Sequence, residues 1–151
     1  YSRETDQSRA LKLRDALARL GVGENEIWFD RVTLKPGDDF DQRITDGIGK
    51  CTYFLPVVSR EATNRDEAFV FLEWEAATNR LPKINTMRRK WLVPLVVDAE
   101  NQPESYEQAS VRDWCNRKIN FGHAPEGEPD AATLQYLDTL VKNARTPGGR
   151  P

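Results

Sequence analysis

The chain reads as a doubly wound α/β domain, and three observations predict it. Apolar runs of strand length, at residues 52–59 and 91–98, alternate with stretches of helical period. Both runs are continuously apolar, as strands buried on both faces of a parallel sheet are. Strand, helix, strand, helix, strand in that order implies parallel pairing through right-handed crossovers. Three of the predicted strands also end in a polar residue: Asp30, Ser59 and Asp98. In open α/β sheets that carboxyl edge is where ligands bind.

Each element has its own signal. Residues 1–6 are polar and read as the exit of a strand mostly absent from this chain. Residues 7–20 predict a helix with Leu13, Leu17 and Leu20 inward and Gly21 as its stop. Residues 26–30 predict a short strand of aromatic and branched residues. Residues 31–41 form a polar loop in which Pro36-Gly37 fits the centre of a type II turn. Phe40, Ile44 and Ile48 mark a short helix that Gly49 ends. Pro56 and Pro94 interrupt the two apolar runs, so each strand lacks one ladder donor.

Residues 67–80 contain no Gly or Pro and predict a helix, with Asn64 or Asp66 to cap it. Phe69, Leu72, Ala76 and Arg80 recur on one face of it. Glu73 lies inside that stripe, whereas Glu75 points toward water. Pro82 ends the helix, and residues 83–90 make a basic connection. Residues 106–116 predict a short helix and 118–121 a last short strand. A Gly/Pro-rich loop at 122–129 holds the only histidine, His123. Asp130 caps a final helix through Ala144, with Leu134, Leu137 and Val141 inward, and residues 145–151 read as linker.

Composition bounds the function. The 151 residues suffice for one well-cored domain, 38% hydrophobic and 30% charged. A net charge of −2 gives no reason to expect nucleic-acid binding. No apolar run approaches the roughly 18 residues that span a bilayer, and no signal peptide is visible. Cys51 and Cys115 lie far apart and, with one His, make no zinc site. Free thiols in a reducing cytoplasm are the simplest expectation. The start at Tyr1 without a Met predicts a piece of a longer chain.

Five short motifs, in order, resemble those of a Toll/interleukin-1 receptor (TIR) domain of the bacterial kind, from residue 1 to about residue 145. Tyr1-Ser2-Arg3 resembles the end of the family's first box. Trp28-Phe29-Asp30, followed by Leu34-Lys35-Pro36-Gly37, resembles its second strand and BB loop. Phe54-Leu55-Pro56-Val57-Val58-Ser59 resembles its third strand. Phe69-Val70-Phe71-Leu72-Glu73-Trp74 resembles the helix bearing the family's catalytic glutamate, and Val93-Pro94-Leu95-Val96 resembles its fourth strand.

The resemblance implies a flavodoxin-like, three-layer domain with about five parallel strands. It also implies one of two roles: cleavage of NAD+ at the nicotinamide–ribose bond, or assembly of signalling complexes without catalysis. Under the first, Glu73 is catalytic. Tyr1, Arg3, Asp30, Phe69, Trp74 and His123 are substrate-binding candidates, and NAD+ is a substrate, with no cofactor and no metal. Leu34, Pro36 and Gly37 belong to a loop through which such domains self-associate. The expected setting is a cytoplasmic homo-oligomer in bacterial antiphage defence or signalling. Residues 146–151 would lead to a further domain. Some NAD-cleaving relatives carry an acid where this chain has Val32, so no particular product is implied.

The chemistry stands without the family. The nicotinamide of NAD+ leaves as a neutral base from a pyridinium, so it needs no general acid, unlike ordinary glycosides with their two carboxylates. One carboxylate that stabilises the oxocarbenium-like transition state suffices. Blander roles remain open for the other candidates: packing for Trp74, a loose terminus for Tyr1 and Arg3, a loop position for His123, and a loop cap for Asp30.

Overall fold

The computed structural model describes residues 1–2, 5–23, 26–27, 51–64, 68–81 and 91–145, with the side chains of residues 68 and 69 outside the description. Within them the chain runs α1 (Gln7–Arg19), β1 (Val57–Val58), α2 (Arg60–Asn64), α3 (Ala68–Arg80), β2 (Leu95–Val96), α4 (Ala109–Asn116), β3 (Gly122–His123) and α5 (Ala131–Arg145). Single 3-10 turns occupy Pro103–Ser105 and Pro125–Gly127.

The described sheet has three strands in the order β1-β2-β3, all parallel. Val57 pairs with Leu95 and Val58 with Val96; Leu95 then pairs with Gly122 and Val96 with His123. The strands are shorter than their apolar runs, and proline is the reason. Phe54 N–H donates to Trp91 O, and Val93 N–H donates to Phe54 O. Pro56 O accepts from Leu95, but Pro56 has no N–H to return to β2, so the ladder breaks between the Phe54–Leu92 bridge and Val57. Pro94 O likewise accepts from Gly122, with no N–H to give.

Alternate strand residues face opposite layers. Val58, Leu92 and Val96 pack with Val70, Trp74, Ala77 and Leu81 of the α3 segment and with Val111 and Trp114 of α4. Val57, Val93, Leu95 and Val97 pack with Leu13 of α1 and Leu137 and Leu140 of α5. Helices therefore cover both faces of a parallel sheet, as a doubly wound domain requires. The predicted parallel α/β architecture is present, and three strands are seen.

Helix phase is where sequence and structure part. The buried stripe of α3 is Val70, Trp74, Ala77 and Leu81, whereas Leu72, Ala76 and Arg80 are not fully buried and the Phe69 side chain lies outside the description. Leu72 is 37% exposed, and Arg80 lies over the Trp91 ring at 4.5 Å. Residues 68–77 are apolar nearly all round, so spacing alone leaves the phase open, and Trp74, with the largest side chain, takes the centre. Its ring packs on those of Phe71 and Trp114, both at 5.6 Å. The buried Trp114 Nε1–H is satisfied by Thr78 Oγ1 at 2.8 Å.

In α5 the inward residues are Thr133, Leu137 and Leu140, while Leu134 is exposed. Thr133 faces β3 because its hydroxyl accepts the His123 N–H at 2.9 Å. In α1, Ala10, Leu13 and Ala16 are buried, with Leu17 and Leu20 half-buried against the same core. The last strand is Gly122–His123, not 118–121, because a turn ends α4 there with Lys118 at φ 61. Glu26, expected to open a strand, lies in a helical turn and accepts Gly23 N–H at 2.8 Å. The expectations for residues 28–50, 82–90 and 146–151 lie outside the described residues.

The phase of α3 is testable by denaturation. Trp74→Ala should cost about 3–5 kcal/mol, as large-to-small core changes do. Leu72→Ala should cost less than about 1 kcal/mol. Equal losses in urea melts would contradict the rotated stripe.

Candidate functional site at the carboxyl edge

The strand exits carry a connected set of polar groups. Asp6 ends the N-terminal segment and is the N-cap residue of α1, yet its side chain does not cap that helix. Instead the carboxylate is wholly buried and accepts from two side chains. Ser59 Oγ donates to Oδ2 at 2.7 Å and Arg9 Nη1 donates to Oδ1 at 2.8 Å. Ser59, directly after β1, uses the same oxygen to accept Ala62 N–H at 3.0 Å and so caps α2. The backbone joins in: Asp6 N–H donates to Ser2 O at 2.9 Å, and Ser2 is also buried.

Arg9 carries the network onward. Its Nε and Nη2 donate to Glu126 Oε2 and Oε1 at 3.1 and 3.2 Å, a paired fork. The Glu126 hydrogen bond, with Asp6 adding and burial opposing, holds the Arg9 pKa above its ordinary value. The same fork lowers that of Glu126. Glu126 adopts a left-handed φ of 53°, and the next residue, Gly127, has φ 93°. A Cβ on Gly127 would stand 2.4 Å from Arg9 O, so glycine is required by both conformation and space.

A second hub is Asp98, at the exit of β2. Its Oδ2 accepts Arg60 N–H at 2.8 Å and the Tyr106 hydroxyl. Burial pushes the Tyr106 phenol well up, and Asp98 adds to the shift. The Arg60 guanidinium lies 5.1 Å from the Tyr106 ring centre and donates to Ser105 Oγ at 2.9 Å. Beside it is an open polar recess of about 550 Å³, lined by Arg60, Thr63, Asn64, Ser105, Tyr106 and Gln108 among others. The Asp98 carbonyl lies 2.9 Å from His123 Nε2. A carbonyl only accepts, so Nε2 carries the proton, and Nδ1 faces Asp130 Oδ2 at 3.9 Å.

The structure places the sequence candidates unevenly. Glu73 sits in the second turn of α3, half-buried, one residue before the core residue Trp74. At about 100° per residue it lies on the flank of the buried stripe away from Phe71 and Thr78, the side chains that reach Trp74 and Trp114. The helix starts on the carboxyl-edge side and ends at Arg80, over Trp91 beside the entry to β2. Trp74 is 1% exposed and offers no ring face to a ligand. Tyr1 packs against the α1/α5 core, the layer opposite α3. His123 is at the edge, tied to Asp98. Arg3, Asp30, Leu34, Pro36, Gly37 and the Phe69 side chain lie outside the described residues.

Sequence reasoning missed Asp6, Arg9, Tyr106 and Glu126. The Asp6-x-x-Arg9 spacing was the only available signal, an acid and a base one helical turn apart. Cys51 and Cys115 are free thiols that pack against the α3/α4 core, and burial raises the pKa of Cys115. Among the described residues no group of three His, Cys, Asp or Glu could hold a metal ion. No helix among them is long and apolar enough to cross a membrane.

Comparison with known proteins adds one finding. A family model described as "TIR domain" matches residues 1–139. Searches of curated proteins and of solved structures returned no match.

Two outcomes follow from the Arg9 hub. Gly127→Ala should destabilise by about 2 kcal/mol or more, measured by urea unfolding. The lowered pKa of Glu126 means that its stabilisation is present above the ordinary value of 4.5 and is lost as pH falls through the lower folded value. Between pH 4.5 and that lower value, thermal melts should therefore fall less steeply with falling pH for Glu126→Gln than for the wild type. Parallel curves would rule the contribution out.

Proposed function

The chain belongs to the TIR domain family, with the model covering residues 1–139, and from that premise we propose that it is an NAD+ glycohydrolase effector domain. TIR domains include NAD-cleaving enzymes and commonly self-associate. The observation that carries the reading is the setting of Glu73. It is half-buried on the flank of an apolar stripe, in the helix that leaves the carboxyl edge, while Glu75 is exposed. A carboxylate partly withdrawn from water exerts a stronger field on a developing cation than an exposed one.

In the proposed reaction the C1′–N bond to nicotinamide breaks and the pyridinium takes the bonding pair to leave as a neutral base. Glu73 stabilises the positive charge that grows on the ribose ring and holds its hydroxyls. Water adds at C1′ and gives up a proton, leaving ADP-ribose. Arg3 and Asp30 are proposed for the pyrophosphate and the ribose, and His123 for the border of the cleft. The same proposal includes a five-strand sheet, activation by self-association through loop 31–41, a further domain beyond residue 145, and a role in cytoplasmic antiphage defence.

One observation favours a second reading, a non-catalytic assembly module. Tyr1 and Trp74, two of the aromatic candidates, are committed to opposite cores and do not gather at Glu73.

The discriminating measurement is nicotinamide release from NAD+ by the purified domain at high concentration. Glu73→Ala and Glu73→Gln should lower the rate by about 10²-fold or more, as loss of a transition-state charge partner does. No release by the wild type when clustered, or release by both variants at the wild-type rate, would leave the assembly reading.

A further inference from the structure

The buried Asp6–Ser59 hydrogen bond lies where the chain leaving the N-terminal segment meets the chain leaving β1. In open α/β sheets the ligand crevice lies outside the carboxyl ends of the strands, and Ser59, directly after β1, stands at that edge. Two chain segments therefore meet there. One contains Ser2, held by Asp6 N–H through its carbonyl; the other is capped into α2 by Ser59. Beyond α2 lies α3, which carries Glu73.

We propose that Asp6 is a positioning residue for the substrate cleft, fixing the spacing between the N-terminal segment and the start of α2; this rests on the NAD+ reading above. The chemistry of the contact is directional. An ionised carboxylate accepts on both oxygens, so it takes Ser59 O–H and Arg9 N–H at once. That forces the Ser59 proton toward Asp6 and leaves its lone pair for Ala62 N–H. An asparagine presents one acceptor and one donor, and the donor would oppose either the Arg9 N–H or the Ser59 O–H. Loss of the charge thus loosens one side of the crevice from the other without touching Glu73. Arg9 balances the carboxylate and is itself braced by Glu126, so the spacing is set from outside the crevice.

The test uses Asp6→Asn and Ser59→Ala, with Leu140→Ala as a control that lowers stability from the opposite core. KM and kcat for nicotinamide release and the Kd for NAD+ by calorimetry are measured well below each variant's Tm. Misplacement of binding groups predicts KM and Kd raised about tenfold in both edge variants, with kcat changed much less. Leu140→Ala should lose Tm but keep KM and Kd. Edge variants with wild-type KM and Kd overturn the positioning role while leaving the glycohydrolase reading intact. A wild type that binds NAD+ without releasing nicotinamide overturns the catalytic reading alone, because Kd still reports on Asp6. A wild type that neither binds nor cleaves NAD+ overturns both.

Discussion

A carboxylate shut away from water must be compensated on the spot, and that constraint at Asp6 organises the whole carboxyl edge. Removing one partner of a buried charge leaves an uncompensated ion, which costs more than the contact itself gains. Asp6 has a guanidinium on one oxygen and a hydroxyl on the other, and each partner is committed elsewhere as well. Ser59 starts α2, and Arg9 reaches the Pro125–Gly127 turn through Glu126. Three chain segments, the N-terminal one and those that follow β1 and β3, are thereby tied through one buried acid. Asp98 repeats the arrangement one strand over, binding the start of α2, Tyr106 and His123.

The two halves of the molecule are held by different means. The amino-terminal half of each apolar run contributes side chains more than hydrogen bonds, because Pro56 and Pro94 remove ladder donors. Cohesion there comes from packed rings: Phe54 stacks on Trp91 at 5.6 Å, and Trp91 Nε1–H donates to Cys51 O. The carboxyl half is hydrogen-bonded strand to strand and then handed to the charged network. A site built on that half stands on rigid backbone, with apolar layers above and below it.

The fold was legible because its signals are redundant. Continuous apolar runs, their order with the helices, and five family motifs all point to one architecture, and parallel pairing at Val58–Val96 and Val96–His123 bears it out. Helix phase was not legible in α3, where Phe69 to Leu72 and Trp74 are all apolar. Which flank is buried there depends on Trp114 and Trp91, distant in sequence, and no local count includes them. The same limit hid the site's outer parts. Asp6 and Arg9 are unremarkable polar residues until Ser59 and Glu126 are placed beside them. His123 was visible as the single histidine, but its proton position follows only from the carbonyl of Asp98.

The reach of the Arg9–Glu126 fork has a consequence for how the protein comes to be. The two residues are 117 apart in sequence. During synthesis α1 emerges early, with its acid and guanidinium in place, but Ser59 follows 53 residues after Asp6 and the bracing glutamate much later still. Contacts this distant slow the search. α1 is thus made before the residues that secure it. Until the turn at Gly127 has left the ribosome, the apolar stripe of Ala10, Leu13 and Ala16 lacks both its core partners in α5 and its polar lock.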